Sequence, residues 1–426
     1  MTFLRYPAYK DSGVAWLGEI PAHWDAIRLK HTANIINERL DAKPEDSIYL
    51  GLENIETQTG RLLIEATAEQ VESVVGVFQA GDVLFGKLRP YLAKVVLPDF
   101  SGVCTTELLA IRPSQRGYGR FLLYQLLSKP TINLIDSYTY GSKMPRVNAE
   151  QISNTVFTLP PIEEQHTIAA FLDAETARID TLVAKQVSLI TTLQEKRRAL
   201  ISHVVTKGLD PAAPMKDSGV PWLGEVPKHW EILKTRRITI EHKQGYYTEQ
   251  SYIDEGVKLI RITDIDDSAN INFGNMPFVQ VTPDSEDAFS VGQGDFLFAR
   301  SGTIGRFGIV QYPERSVFAS YLIRFRFNAY TEFLRYSFKS QAFQEGLLRL
   351  LHGGANHNVH AEDIKEQYIT LPPISEQTAI ADYLDQETAQ IDTLITKAQE
   401  MIAVLREHRT ALVAAAVTGQ IDVRRL

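Results

Sequence analysis

From residue 159 onward the chain changes its hydrophobic rhythm. Pro160 and Pro161 cannot continue a strand ladder and suit the approach to a helix start. Glu163 and Glu164 then fall in a first turn, where the helix dipole favours negative charge. Apolar positions recur at Leu172, Ile179, Leu182, Leu189, Leu193 and Leu200, in steps of three, four and seven. Leu384, Ile391, Leu394, Met401, Leu405 and Leu412 repeat the series further along. This is a heptad seam, which predicts helices packed side by side. Gly208 and Gly419 stand where a C-terminal stop belongs. A helix from about 163 to 206 would be roughly 65 Å long at about 1.5 Å per residue. A single apolar stripe of that length needs a partner, and the nearest at hand is the other copy. The pattern therefore predicts an antiparallel pair acting as a rigid spacer, although a coiled coil serving only oligomerisation would show the same periodicity.

Upstream of each long helix the pattern is of short strands and then short helices. Strands are predicted around 48–55, 82–86, 92–97 and 107–112, followed by helices around 118–128 and 130–137. The later stretch predicts strands at 257–263, 295–300, 307–312 and 317–327, then helices near 330–339 and 341–351. The fold class expected is α+β, with two mixed α/β domains separated by two long helices packed as an antiparallel coiled coil.

The two halves are copies. KDSGVAWLGEIPAHW at 10–24 returns as KDSGVPWLGEVPKHW at 216–230. LPPIEEQHTIAAFLDAETARIDTLVAK at 159–185 returns as LPPISEQTAIADYLDQETAQIDTLITK at 371–397. The offsets, 206 and 212, are nearly equal, so one unit occurs twice. Between these segments only a skeleton persists: GDVLFGKLR (81–89) against GDFLFARSG (294–302), and GSKMPRVNAEQI (141–152) against GGANHNVHAEDI (353–364). A duplicated scaffold with divergent loops is what two similar modules reading different targets would look like. Drift without a binding role would have eroded the near-identical segments as well.

Composition narrows the class. A chain of 426 residues with 44% hydrophobic and 23% charged residues is of globular type and too long for one core. No apolar run approaches the roughly 20 residues of a membrane span, and the opening MTFLRYPAYKDSG has no apolar signal core, so a cytoplasmic location is expected. The single cysteine, Cys104, excludes an intrachain disulfide framework and reads as a structural residue. A net charge of −8 argues against indiscriminate polyanion binding, but leaves room for positive charge confined to a groove or shared with a basic partner.

Two stretches imitate chemistry. GDVLFGKL at 81–88 nearly spells a phosphate-binding loop, but Leu88 stands where magnesium binding needs a hydroxyl, and the intervening residues are bulky. A short strand followed by a loop is the better reading. His352, His357 and His360 could suggest a metal, yet the matching stretch of the first copy has no histidine, and a polar contact role is preferred. The repeated pairs His23–Trp24 and His229–Trp230 suggest packing rather than catalysis. No GxSxG, HExxH, dinucleotide fingerprint or (N/D)PP(Y/F) motif is present.

LPPIxEQxxIAxxLDxETAxID, present twice, together with KDSGVxWLGExPxHW, resembles the specificity subunits of Type I restriction-modification systems. The resemblance covers essentially the whole chain. It implies a first target-recognition domain at 1–158 and a conserved spacer helix at 159–208, then a second domain at 209–370 and a second helix with tail at 371–426. It also implies a non-catalytic subunit of a phage-defence complex, each domain reading one half of a split, asymmetric double-stranded DNA site. The helices would set the length of the unread gap between the halves, and a pair as long as the periodicity predicts could hold the two modules about one DNA turn apart, roughly 34–36 Å. Two methyltransferase subunits would dock on them, and motor-nuclease restriction subunits could join. S-adenosylmethionine and ATP belong to those partners, with no cofactor or metal on this chain. A coiled-coil adaptor that reads no DNA and an enzyme with an unrecognised site are the competing classes.

Base readout needs forked or planar donors on loops near a groove. The candidates in the first domain are Lys87, Arg89 and Tyr91 after the 82–86 strand, and Lys143 and Arg146 in GSKMPRV. In the second they are Arg300, Ser301 and Thr303 in ARSGT, and Asn356, His357 and Asn358. Arg146 and Arg300 could instead form structural ion pairs or touch only phosphate. Gln165, Gln377 and the Lys196–Arg198 cluster are candidates for exposed partner-docking positions on the helices.

Overall fold

The computed structural model describes residues 4–63, 73–141, 143–249, 251–301, 304–350 and 358–424, with the side chain of Leu350 left aside. The two long helices run Ile162–Lys207 and Ile374–Val417. Each is shared between two compact units, one comprising Met1–Val187 with Gln399–Leu426 and the other Ser188–Ala398. Every unit therefore holds one α/β module, the first half of the helix that follows it, and the second half of the other helix.

Inside the first unit Ile168, Ala169, Leu172 and Ile179 share a core with Leu412, Val413, Ala416 and Val417. Inside the second, Ile201, Val204 and Val205 share one with Ile380 and Leu384. The cross-helix ion pairs give the direction. Asp180 meets Arg409 at 3.2 Å in the first unit, and Arg197 meets Asp392 at 3.1 Å in the second. These are the same two repeat positions with the helices exchanged, and one helix rises as the other falls. The pair is an antiparallel coiled coil, as expected. The seam is nonetheless interrupted: Leu182, Leu189, Leu394 and Met401 remain 38%, 45%, 50% and 49% exposed. A straight α-helix rotates a seven-residue repeat by about 20° per heptad, which carries such positions off a shared seam. Gly208 and Gly419 end the helices with positive φ of 79° and 76°. A Cβ at Gly419 would come within 2.3 Å of Pro21, so the close approach there also requires glycine.

Both modules share one topology. The first has a four-stranded antiparallel sheet in the order Ala33–Ile36, Leu108–Pro113, Val83–Gly86, Val95–Val96. The second repeats it as Thr239–Gln244, Leu322–Phe327, Phe296–Ala299, Phe307–Ile309. Strand alternation buries both faces. Val83, Phe85, Leu109 and Ile111 pack with Leu122 and Leu126 of the helix Gly119–Leu127, whereas Leu84, Leu108 and Ala110 join Leu50, Phe78 and Cys104 on the other side. The run VLF is thus a doubly buried strand. Its GD prefix is a structural anchor: Gly81 turns the chain at φ 90°, and buried Asp82 takes a two-pronged bond from Arg112 at 2.7 and 2.8 Å. Gly294, Asp295 and Arg326 repeat the arrangement. The stretch expected as one strand at 317–327 is two, Ser316–Phe318 and Leu322–Phe327, in different sheets. Ser316–Phe318 runs parallel to Val257–Ile260, as Gly102–Thr105 does to Tyr49–Leu50.

The repeated signature residues clamp each module onto its helix. Glu164 accepts bonds from Tyr6 at 2.7 Å and pairs with His23 at 2.8 Å, and Glu376 takes His229 and the Trp230 indole N–H at 2.7 and 2.9 Å. The Tyr124 hydroxyl donates to Asp173 and sits beside the Thr176 hydroxyl, and Tyr336 does the same with Asp385 and Thr388, with Tyr–Asp distances of 2.6 Å in both units. Burial and the carboxylate partner push both phenols up to about 12. Gln165 and Gln377 are not exposed docking positions. Both are buried, accepting the amide N–H of Tyr118 and of Tyr330 and donating to the carbonyls of Pro160 and Pro372. A glutamine has donor and acceptor enough to tie off the unpaired backbone where a strand hands over to a helix. Lys196 and Arg198 are exposed.

Candidate nucleic-acid interface

Where the strand Val83–Gly86 ends, the next residue is gripped on both sides. The amide of Lys87 donates to the carbonyl of Glu107 at 2.9 Å, and the amide of Val147 donates to the carbonyl of Lys87 at 3.2 Å. Leu88 and Tyr140 each form a bridge with Arg146. The two loops singled out in the sequence are therefore stitched side by side. They open onto a cleft of about 620 Å³ lined by Lys87, Glu107 and Arg146, with Asn34, Arg39 and Tyr140 at its walls.

The second module is built the same way. The amide of Arg300 donates to the carbonyl of Tyr321 at 2.8 Å, and the amide of Val359 to the carbonyl of Arg300 at 2.7 Å. An open cleft of about 390 Å³ there is lined by Arg300, Ser301, Tyr321 and Asn358, with Gln244 and Tyr247. Tyr247 is exposed, and its hydroxyl donates to Glu249 at 2.8 Å.

The first cleft sets Lys30, Arg39, Lys87 and Arg146 against Glu38, Glu107 and Glu150, and the second carries Arg300. Many arginines are neutralised internally, as Arg112 by Asp82, Arg261 by Asp264, Arg315 by Glu286, and Arg324 and Arg326 by Glu241. Among the described residues the Lys87, Arg39 and Arg300 head groups have no ion-pair partner. Lys87 is close enough to Cys104 to pull its thiol down, but burial dominates and pushes it up to about 12. A thiol that is neutral and buried is no nucleophile. Arg146 does form an ion pair, with Glu107 at 3.1 Å, and stays exposed beside it. Arg300 forms none among the described residues.

The remaining sequence candidates spread out. Arg89 is exposed in a left-handed conformation (φ 50°), its amide tied to the carbonyl of Pro145 at 2.8 Å. Lys143 is exposed, outside the cleft lining. Tyr91 lies apart from Lys87 and Arg146, against a separate cavity with Gln58, Lys129, Asn133 and Arg409. Thr303, Asn356 and His357 lie outside the described residues, as does His352, whereas His360 precedes the short helix Ala361–Lys365 and its amide donates to Asp363 at 2.7 Å. Among the described residues there is no group of three or more His, Cys, Asp or Glu side chains arranged to hold a metal, and no helix long and apolar enough to cross a membrane. Glu107 and Tyr321 were not among the candidates. Each immediately precedes a central strand, so aligning 108–113 with 322–327 would have exposed them.

The family model for the Type I restriction modification DNA specificity domain matches twice, at residues 24–189 and 238–402. The chain is 22% identical over 438 residues to the Type I restriction enzyme MjaVIII specificity subunit of Methanocaldococcus jannaschii, covering 96% of this chain and 95% of that protein. It is 21% identical over 329 residues to the EcoKI specificity subunit of Escherichia coli, covering 74% and 68%. Among solved structures, the crystal structure of the HsdS subunit from Thermoanaerobacter tengcongensis aligns with a TM-score of 0.54 at 21% identity, over 94% of this chain and 98% of that one. A chain from a structure addressing complex assembly and conformational transition of the type I R-M system aligns with a TM-score of 0.73 at 19% identity, over 93% and 98%.

Proposed function

Because this chain belongs to the family of Type I restriction-modification DNA specificity proteins, we infer that it is the non-catalytic DNA-recognition subunit of such a complex. Each module reads one half of a split, asymmetric site. The antiparallel helices set the unread gap and offer surface to two methyltransferase subunits, which carry S-adenosylmethionine. Motor-nuclease subunits using ATP complete the complex where restriction occurs.

The observation that carries this reading is the pair of clefts, built by the same backbone bonds and lined by different side chains. One scaffold with two linings is what two different half-sites demand. The acidic total charge is compatible with it, since the arginines outside the clefts are largely neutralised and partner subunits add phosphate contacts. A methyltransferase acting on a base must draw it out of the stack, so the recognition subunit has only to hold the duplex in register.

The test is a genome-wide map of methylated adenines in a host free of adenine methylation, expressing this chain with a methyltransferase partner. A single split motif is expected, with one half changing when residues 231–370 are exchanged for those of a relative. Methylation without a motif, or a motif indifferent to the exchange, would overturn the reading in favour of an adaptor.

A further inference from the structure

Three cleft positions coincide between the modules, yet none keeps its residue. Lys87, Glu107 and Arg146 line the first cleft, and Arg300, Tyr321 and Asn358 line the second. The same backbone bonds fix their frame: amide 87 to carbonyl 107 and amide 147 to carbonyl 87 in one module, amide 300 to carbonyl 321 and amide 359 to carbonyl 300 in the other. Around them the anchors are unchanged, with Gly81–Asp82–Arg112 matched by Gly294–Asp295–Arg326. A constant frame carrying exchangeable side chains is the arrangement a specificity determinant requires.

Resting on the reading of the modules as DNA readers, we propose that these three positions form the base-reading set of each module, and that their chemistry assigns the bases. In the first module Arg146 and Glu107 together read one G·C pair. In the second, Asn358 reads an adenine and Arg300 a guanine.

The first assignment follows from Glu107. A carboxylate in a cleft facing DNA is repelled by phosphate, so its presence selects a base edge that offers an amino group. One of its oxygens holds Arg146 at 3.1 Å, while the other is buried without a hydrogen-bond partner. An acceptor left in that state is costly, and an incoming N–H donor relieves it once the carboxylate turns toward the cleft. The neighbouring guanidinium supplies forked donors, which suit two adjacent acceptors. In the major groove only a G·C pair places two acceptors, N7 and O6 of guanine, beside the N4 amino group of cytosine. Tyr321 replaces the carboxylate in the second module, so the cytosine amino group finds no carboxylate there and the Arg300 fork reads the guanine alone. Asn358 is exposed with no hydrogen bond from its side chain among the described residues, and an amide matches N6 and N7 of adenine.

The experiment uses the full chain in complex with its methyltransferase partner. The probes are duplexes carrying the motif found for the wild-type complex, and every single base-pair change within it. Wild type should discriminate roughly 5- to 150-fold at each base pair read. Glu107→Gln should reduce that discrimination by at least about threefold at one G·C position of the first half-site, where Arg146 still reads the guanine, and leave the second half-site unaltered. Asn358→Ala should do the same at one adenine of the second half-site, and its exposed side chain keeps this variant informative where Glu107→Gln weakens the fold. A wild-type discrimination profile retained by Asn358→Ala, or by a folded Glu107→Gln, overturns the assignment. A wild-type complex that discriminates at no position overturns the underlying reading of the chain as a DNA reader.

Discussion

The two repeat copies carry the same arginine at matching positions of the long helices, Arg409 and Arg197, and its removal should cost the two units very different amounts. Arg409 is only 12% exposed. It donates to the carbonyls of Gln58 and Thr59, both at 3.0 Å, and its Nε lies 3.2 Å from Asp180 without the alignment of a hydrogen bond. Hydrogen bonds from a charged donor contribute about 1.5–3 kcal/mol each. Losing both while leaving Asp180 with Arg61 as its remaining partner, Arg409→Ala should destabilise the first unit by about 3 kcal/mol. Arg197 is 26% exposed and meets Asp392, itself 46% exposed, at 3.1 Å. A pair that wet contributes about 0.2–1 kcal/mol. Removing Arg197 also relieves half-buried Lys339, whose ammonium its charge disfavours, so the net cost falls further. Amide hydrogen exchange of the strands Val83–Gly86 and Phe296–Ala299 reports each unit separately. Arg409→Ala should speed exchange in the first strand by roughly 100-fold, and Arg197→Ala should change the second by less than about fivefold. Equal acceleration in the two units, or the larger one from Arg197→Ala, would refute the argument that burial and carbonyl contacts set the difference.

Lys339 is held down at about 8, first by burial and then by the charges of Arg197 and Arg335. The unfolded chain therefore binds the extra proton between about pH 8 and pH 10.5, and the stability of the second unit should rise with pH across that window. Lys339→Leu, which installs the residue found at the matching position as Leu127, should raise the melting temperature at pH 7, and thermal melts at pH 7, 9 and 10 should show the gain shrinking. Asp82→Asn removes the charge of a buried carboxylate and leaves the half-exposed Arg112 guanidinium without its counterion. It should destabilise the first module by about 1.5–3 kcal/mol in denaturant titrations, the worth of a hydrogen bond to a charged group, while the exchange protection of Phe296–Ala299 in the other unit stays as it was.

Much of the architecture was legible because helix signals are local. The prolines, the first-turn glutamates and the terminal glycines bracket helices expected at about 163–206 and observed at Ile162–Lys207. Short helices expected at 118–128 and 130–137 lie at Gly119–Leu127 and Lys129–Ser137. Strand signals were weaker. Ser316–Phe318 and Leu322–Phe327 read as one run because both are apolar, and their separation comes from pairing with strands far away in sequence. The exposure expected of Gln165 failed for a similar reason: a polar residue on a long helix reads as solvated until the strand-to-helix junction that it caps is in place.

The candidate interface divides in the same way. Lys87, Arg146, Arg300 and Asn358 were visible as donors in loops where the repeat has diverged, and Glu107 and Tyr321 were not. The amino-acid sequence by itself determined that one unit occurs twice, that long helices pair through a heptad, and which family the chain belongs to, because spacing and repetition are properties of the chain alone. Only the tertiary structure decided which residues share a cleft. The bonds from amide 87 to carbonyl 107 and from amide 147 to carbonyl 87 join segments 20 and 60 residues apart, and no local pattern encodes a contact made by backbone groups that every residue carries.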